Sequence, residues 1–236
     1  MQRNYVRWYS PQLHRDMEFL WFGWSGRPVI MFPTSGGRYF ENEDFGLIGS
    51  VADKVEAGEI QIACVDSIDR ESWYNQSIHP HDRARRHDAF DRYLRFELIP
   101  YVQHRAQRGD LVTYGASFGA YHAANLAGRY PELISKAILF SGVYDINRIT
   151  NGYMDDLCYY HSPASYIGNM DWGASQRLRQ VSWVIATGEH DTLVDDNRGL
   201  AWLLEVKGIG CYSEFWPGAF GHDWPWWRAN LRRFLP

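Results

Sequence analysis

The sequence predicts an α/β fold, in which a mostly parallel, doubly wound sheet carries helices on both faces. Two observations support this prediction. Five short apolar runs contain few charges, which is typical of strands that are buried on both faces. Segments with helical periodicity separate these runs, and such alternation is typical of parallel strands joined by helical crossovers. In chain order, the runs are VIMF, IQIACV, LVTYG, KAILFSG and VSWVIATG.

The remaining elements follow from the same patterns. Residues 4–10 and 16–25 alternate partly between polar and apolar side chains, which predicts an antiparallel pair of strands at one edge of the sheet. The turn Gly26-Arg27-Pro28 leads from this pair into the first parallel strand. Helices are predicted over residues 45–58, 82–105, 117–130 and 194–208, with a last strand and helix near the carboxyl end.

The chain length predicts one domain. A chain of 236 residues suits a single large α/β domain, here residues 1–236. Residues 144–180 are the one long irregular stretch, and a connection of that length in a compact domain usually forms a lid or a binding segment. We therefore expect residues 144–180 to form a small cap.

Charge and composition argue against several classes of partner. The net charge of -4 gives no electrostatic reason to expect a nucleic acid or an anionic membrane. No apolar run is long enough to cross a bilayer, and the amino-terminal residues do not read as a signal peptide. The cysteines Cys64, Cys158 and Cys211 stand far apart and predict neither disulfides nor a zinc site. We expect a cytoplasmic protein.

The stretch LVTYGASFGAYHAANLAGRY, residues 111–130, contains a candidate nucleophile. Ser117 stands between Gly115 and Gly119, after a predicted strand and before an alanine-rich helix. A serine at such a strand-to-helix turn, the nucleophile elbow, is held in strained backbone geometry, and larger residues in place of the glycines would crowd the bend. An ordinary tight turn is the alternative.

A serine hydroxyl needs a base, and the base needs an acid that orients it. After a nucleophile elbow, the acid comes next along the chain and the histidine last. Asp191 follows VSWVIATG, at the carboxyl end of a predicted parallel strand, where sites assemble. His222 lies in a loop after the last predicted strand, EFWPGAF. We therefore predict Ser117, Asp191 and His222 as a catalytic triad.

Other residues compete for the acid and base roles. Glu189, Asp195 and Asp196 share the segment of Asp191, although a carboxylate near a helix start is often only a cap. For His122, which lies in the elbow helix, we expect core packing. The other histidines lie before the elbow, in the predicted cap or beside the acid: His14, His79, His81, His87, His104, His161 and His190.

Two N–H groups should stabilise the oxyanion that forms on the substrate carbonyl. The residue after the nucleophile, Phe118, supplies the first. The loop FPTSGGRYFEN, after the first parallel strand, should supply the second, because its proline and paired glycines suit a loop that presents main-chain N–H groups. Ser35 is the predicted donor and Thr34 the alternative, with a plain turn as the further possibility.

The motifs resemble a known family. G-A-S-F-G after a strand, then G-E-H-D and W-P-G-A-F-G-H-D-W, is similar to the putative-esterase family of α/β hydrolases, which includes esterase D (S-formylglutathione hydrolase), feruloyl and enterochelin esterases and the antigen 85 mycolyltransferases. The resemblance spans nearly the whole chain and implies the α/β-hydrolase fold, with Ser117, Asp191 and His222 as nucleophile, acid and base. The elbow reads S-F-G-A where S-formylglutathione hydrolases usually carry S-M-G-G, which argues against that activity.

Further residues are candidates for the substrate pocket. Trp73 and Tyr74 follow a strand, so their loop should open on the same face as Ser117. Thr34 should lie on this face too and is a further candidate. Ordinary loop packing is the alternative. The sequence HPHD, residues 79–82, predicts a helix start rather than metal ligands. No phosphate-binding glycine loop occurs. We expect neither a metal nor an organic cofactor.

The predicted activity is hydrolysis of a carboxylic ester of a small molecule through an acyl-enzyme. Two alternatives remain at this level. The same three residues serve an acyltransferase, in which an alcohol replaces water as the acceptor. A binding module that keeps the fold but does no chemistry is the second alternative, and an intact triad in the required order argues against it.

Overall fold

The computed structural model describes residues 1–236, apart from the side chains of Ala219 and Phe220. Eight strands form one sheet in the order β1-β2-β4-β3-β5-β6-β7-β8. The strands are β1 (Arg3–Ser10), β2 (Arg15–Phe22), β3 (Arg27–Met31), β4 (Ile60–Val65), β5 (Leu111–Ala116), β6 (Ile134–Phe140), β7 (Ser182–His190) and β8 (Cys211–Phe220).

The pairing of the strands confirms the predicted sheet. β1 and β2 run antiparallel to each other, and β2 runs antiparallel to β4. From β4 to β8 every neighbouring pair is parallel. Every residue of β4 and β5 is buried, as the apolar runs IQIACV and LVTYG predicted.

Helices cover both faces of the sheet. Along the chain they are α1 (Glu41–Asp44), α2 (Ala52–Glu56), α3 (Pro80–Tyr93), α4 (Ile99–Ala106), α5 (Phe118–Arg129), α6 (Asp156–Tyr160), α7 (Pro163–Asn169), α8 (Trp172–Leu178), α9 (Val194–Val206) and α10 (Trp224–Phe234). Short 3-10 turns lie at Gly49–Val51 and Ile146–Arg148. None of the helices in the described part of the chain has both the length and the apolar character to cross a membrane.

Two predicted helices differ in detail from the structure. Residues 82–105 lie in α3 and α4, but a π-helical turn at Leu94–Leu98 separates the two. Pro100 lies in the first turn of α4 and has no N–H to donate, which favours a local change of helix type just before it. Residues 45–58 were predicted as one helix, but they contain only a 3-10 turn and the short helix α2. Gly46 has a φ of 75°, which is not helical, so residues 45–48 form a turn instead.

Residues 144–180 connect β6 to β7 and contain α6, α7 and α8. Helix α6 packs against α3, whereas α7 packs against α5 and α9. His161, between α6 and α7, is fully buried. The segment therefore has helices of its own and is attached to the helical layer that contains α5.

Two apolar layers form the core, one on each face of the sheet. The first packs side chains of α3, α4, α5 and α9 against the sheet. The second packs side chains of α2 and α10, together with Leu47 and Ile48, against the opposite face. The parallel pairing aligns the carboxyl ends of β3, β5, β6 and β7 at one edge of the sheet, so the loops that follow these strands meet there.

Candidate active site

Ser117 occupies the sharp turn between β5 and α5. Its φ of 56° and ψ of -124° are unusual for a residue with a side chain, because the Cβ crowds the backbone there. The Ser117 N–H donates to the carbonyl of Phe140 at 2.9 Å, and the Ser117 carbonyl accepts from Ala120 N–H at 3.1 Å. These bonds hold the strained turn, and Ser117 itself is half-buried.

The glycines on either side of Ser117 allow the turn to close. A Cβ on Gly115 would lie 2.0 Å from the carbonyl carbon of Gly119, which is shorter than any real contact. A Cβ on Gly119 would lie 2.5 Å from the carbonyl oxygen of Pro33. The first turn of α5 therefore rests directly on the strand before it and on the loop that follows β3.

Asp191 and His222 lie together at the ends of β7 and β8. His222 Nδ1 lies 3.1 Å from Asp191 Oδ1 and 3.2 Å from Oδ2. The carboxylate is almost completely buried, whereas 26% of the His222 side chain is exposed. A carboxylate in this position fixes the imidazole so that Nδ1 carries the proton and Nε2 is free to accept one.

The surroundings of Asp191 keep it ionised. Burial alone would raise the pKa of this carboxyl, but hydrogen bonds from His222, from Leu193 N–H and from Ser141 outweigh burial, and the pKa lies below its usual value. The Leu193 N–H donates to Asp191 Oδ1 at 2.8 Å. Asp191 therefore stays ionised and can accept a hydrogen bond from the imidazole nitrogen that carries the proton.

A chain of contacts leads from His222 through Trp227 and Ser141 to the end of β6, which holds the Ser117 N–H. In the described part of the chain, no hydrogen bond joins Ser117 Oγ to His222. The Trp227 ring packs edge-on against the His222 ring, with centroids 5.2 Å apart, and Trp227 Nε1 donates to Ser141 Oγ at 3.1 Å. Ser141 directly follows Phe140, whose carbonyl holds the Ser117 N–H. The elbow and the histidine therefore share one set of supporting contacts.

The other acids near Asp191 are engaged elsewhere. Asp195 is 92% exposed at the start of α9. Asp196 pairs with Arg148 at 2.6 Å. Glu189 is exposed at the end of β7. Of the four acids in this segment, Asp191 is the one that contacts His222.

Two carboxylates hold the loop after β3 and occupy the N–H groups on both sides of Ser35. Thr34 N–H donates to Glu41 Oε2 at 2.7 Å, and the Thr34 hydroxyl donates to Oε1 at 2.9 Å. Gly36 N–H donates to Asp69 Oδ2 at 3.1 Å. Among the hydrogen bonds of the described residues, none uses Ser35 N–H. This N–H is therefore available to another acceptor, whereas that of Thr34 is not.

The N–H of Phe118 is similarly available. Phe118 is the first residue of α5, and the first N–H groups of a helix have no partner inside it. No hydrogen bond from Phe118 N–H occurs among the described residues. The Phe118 side chain is buried, with its ring 4.8 Å from that of Tyr74.

The two aromatic pocket candidates lie at different depths. Trp73 is fully buried, and its Nε1 donates to the Tyr121 hydroxyl at 2.9 Å, so in this structure the ring packs in the interior. Tyr74 is half-buried, with its hydroxyl 3.0 Å from Ser35 Oγ. Burial raises the pKa of Tyr74 to about 12, although the bond to Ser35 opposes the rise. Tyr74 is therefore a neutral hydroxyl beside the loop that follows β3.

Three further residues support this site and were not predicted from the sequence. Glu41 and Asp69 hold the loop after β3, and burial raises the pKa of Glu41 even though its Thr34 bonds act against the rise. His122 is buried, as expected, but it also pairs with Asp69 at 2.8 Å. The available sequence signal was His122, a polar residue in the largely apolar helix α5. Its partner Asp69 lies far away in the sequence, so no local pattern reveals the pair.

A family model described as Putative esterase matches residues 25–236. No curated protein sequence matches the chain significantly. The matched range includes Ser117, Asp191 and His222.

Solved structures share the fold over the whole chain. A ferulic acid esterase is 17% identical, with a TM-score of 0.78, over 100% of this chain and 98% of its own. S-formylglutathione hydrolase from Agrobacterium tumefaciens is 14% identical, with a TM-score of 0.75, over 99% and 95%. MPT51 from Mycobacterium tuberculosis is 18% identical, with a TM-score of 0.72, over 99% and 96%. These similarities confirm the predicted α/β-hydrolase fold.

Proposed function

Because the chain belongs to the putative-esterase family of carboxylic ester hydrolases, we propose that it cleaves its ester through a covalent acyl-enzyme, with Ser117 as the nucleophile. His222 is the base and Asp191 the acid. One observation carries the proposal: the buried Asp191 carboxylate accepts a hydrogen bond from His222 Nδ1 at 3.1 Å, at the same edge of the sheet as the strained turn of Ser117. Such a pair converts a weakly nucleophilic hydroxyl into a reactive one.

In the first half of the reaction, Ser117 Oγ attacks the carbonyl carbon of the ester and His222 Nε2 takes the hydroxyl proton. The carbonyl oxygen becomes an oxyanion in a tetrahedral intermediate. His222 then passes its proton to the alcohol oxygen, the carbon–oxygen bond breaks, and the alcohol leaves. Asp191 stabilises the imidazolium that exists between these proton transfers.

In the second half, a water molecule attacks the acyl carbon while His222 takes a proton from it. The second tetrahedral intermediate collapses, the Ser117 oxygen leaves with the proton from His222, and the carboxylic acid is released. We propose water rather than an alcohol as the acceptor. The residues of the site suffice for these steps without a cofactor.

The oxyanion is bound by the N–H groups of Phe118 and Ser35. Both groups are available to an acceptor, whereas Glu41 occupies the Thr34 N–H. Each donor of this kind typically contributes about 3 kcal/mol to transition-state stabilisation. Tyr74 lies beside this loop and contributes to the wall of the substrate pocket, with Thr34 at its edge.

We further propose that residues 1–236 form a single domain, with residues 144–180 as its small cap. The substrate is a small-molecule ester, and neither a nucleic acid nor a membrane is a partner. The enzyme acts in the cytoplasm. Its three cysteines are unpaired, which is the usual state in a reducing compartment.

A short-chain p-nitrophenyl ester tests the proposal. The wild-type enzyme should release p-nitrophenol in a burst followed by steady turnover, because the acyl-enzyme accumulates. Ser117→Ala should abolish the burst and lower kcat at least about 10⁴-fold. Ser213→Ala, an exposed serine in β8, is the matched control and should retain full activity. Wild-type turnover in Ser117→Ala would refute the proposal.

A further inference from the structure

A buried, hydrogen-bonded pair of side chains, Asp69 and His122, connects the elbow helix α5 to the loop after β3, which is the proposed oxyanion loop. We propose that Asp69 and His122 are positioning residues, which hold the Ser35 N–H at the correct distance from the Phe118 N–H for an oxyanion. This inference rests on the function proposed above. Neither residue touches the reacting atoms, so their effect on catalysis is transmitted through the loop.

The geometry of the pair is that of a bridge. Asp69 Oδ1 accepts from His122 Nε2 at 2.8 Å, and Asp69 Oδ2 accepts from Gly36 N–H at 3.1 Å. One carboxylate therefore links α5, which begins at Phe118, to the residue directly after Ser35. Both side chains are buried, with 0% of Asp69 and 1% of His122 exposed.

The energetics distinguish this bridge from a surface ion pair. A buried carboxylate loses its hydration and is tolerated only where its oxygens are hydrogen-bonded, as both are here. Apolar side chains of similar size often fill such a site without loss of stability. The reason for a carboxylate at this position is therefore the fixed direction of its two bonds rather than stability alone.

Rings on both sides hold the imidazole of His122. The Phe32 ring stacks on it with centroids 5.5 Å apart, and the Phe118 ring meets it edge-on at 5.2 Å. Phe32 is the first residue of the proposed oxyanion loop, and Phe118 carries the other proposed oxyanion donor. His122 is thus packed between the two segments whose N–H groups must converge.

A second connection runs through Tyr74. Its N–H donates to the Asp69 carbonyl at 2.9 Å, and its hydroxyl lies 3.0 Å from Ser35 Oγ. Its ring packs on that of Phe118. The segment around Asp69 therefore contacts Ser35, Gly36 and Phe118 at once, and a shift of this segment would move one donor relative to the other.

A small displacement is enough to impair catalysis. An error of about 1 Å in the placement of a catalytic group can lower the rate about 10²-fold. The oxyanion exists only in the transition state and the intermediates, so losing the bridge should lower kcat and leave KM nearly unchanged. A variant that only had a smaller folded fraction would not bind a transition-state analogue more weakly relative to the substrate.

The kinetic test compares kcat, KM and inhibition by a trifluoromethyl ketone, which forms a hemiketal oxyanion on a serine. Asp69→Ala should lower kcat about 10- to 100-fold, with KM within about twofold of the wild-type value. It should weaken inhibition by the ketone by the same factor as it lowers kcat. His122→Ala should behave alike. His122→Gln retains an N–H donor of similar reach and should recover most of the loss.

The structural test measures amide hydrogen exchange in the peptide that contains residues 32–40. Exchange there should accelerate in Asp69→Ala, because Gly36 N–H has lost its acceptor. Asp91→Ala is the matched control: Asp91 is a buried carboxylate in α3, paired with Arg129 at the far end of α5. It should melt at a lower temperature, with kcat and loop exchange unchanged.

The outcomes separate the two proposals. A folded Asp69→Ala with wild-type kcat or wild-type loop exchange would overturn the positioning role. If Asp69→Ala does not fold, Asp69→Asn replaces it. We expect kcat to fall about tenfold in this variant, because the asparagine amide has only one acceptor oxygen for the two hydrogen bonds. Wild-type kcat in Asp69→Asn would again overturn the positioning role. If turnover in the wild type does not depend on Ser117, the proposed function fails, and loop exchange still decides whether the bridge holds the loop.

Discussion

At the scale of single residues, the site depends on hydrogen bonds that hold charged groups in place. Asp191 accepts from His222, from Leu193 N–H and from Ser141, and these bonds lower its pKa although burial acts in the opposite direction. His222 is in turn packed against Trp227. Asp191 and His222 therefore form a preorganised pair.

The lowered pKa of Asp191 predicts a pH dependence of stability. The ordinary value is 3.8 and the folded value is lower, so the unfolded chain takes up the proton at a higher pH than the folded chain. The carboxylate thus stabilises the fold above about pH 4, and this contribution is lost as the pH falls through the folded value.

Urea unfolding of the wild type and Asp191→Asn between pH 6 and pH 2 measures this contribution. The difference in unfolding free energy between the two proteins should shrink at the acid end, because the asparagine has no proton to take up. Asp191→Asn should also lower kcat at pH 7 about 10⁴-fold, through the wrong imidazole tautomer. A stability difference that does not change with pH would contradict the assignment.

At the scale of elements, the sharp turn at Ser117 forms because the strand before it and the helix after it meet at glycines, without side chains between them. Gly115 and Gly119 lie in contact with each other, and Gly119 lies against Pro33. The strained φ of Ser117 is maintained by this packing and by the bond to Phe140.

Gly115→Ala tests the packing of the elbow. Its Cβ would lie 2.0 Å from the backbone of Gly119, so α5 must move away, and we expect a loss of unfolding free energy of about 3 kcal/mol. Activity should fall as well, because Ser117 shifts with α5. Urea denaturation and ester turnover measure the two effects.

Gly199→Ala is the matched control for that substitution. Gly199 lies within α9, and an added Cβ meets nothing within 4 Å. Alanine should therefore stabilise the helix by about 0.5 to 1 kcal/mol. Equal stability of Gly115→Ala and the wild type would show that the elbow is not closely packed.

The sequence predicted the elements around the site better than their details. The strand and helix on each side of Ser117 follow from local patterns that the structure confirms. The π-helical turn before Pro100 does not, because helical periodicity continues through it. The bridge from Asp69 to His122 joins residues 53 positions apart, and a pairing over that distance has no local pattern.

At the scale of the whole molecule, the alternation of strands and helices was enough to predict a parallel sheet covered on both faces. The position of β3 between β4 and β5 was not predicted, because it depends on which buried faces meet in the folded chain. The order of nucleophile, acid and histidine along the chain selected Ser117, Asp191 and His222 as candidates. The fold brings Asp191 and His222 into contact although they lie 31 positions apart in the sequence.

The most direct measurement is the site of covalent labelling by a fluorophosphonate. A serine oxygen activated by a base displaces the fluoride and becomes phosphonylated, and mass spectrometry of the digested protein locates the adduct. We predict a single adduct on Ser117, formed at least about 100-fold more slowly in His222→Ala. An unlabelled protein, an adduct on another residue, or labelling of His222→Ala at the wild-type rate would contradict the proposed triad.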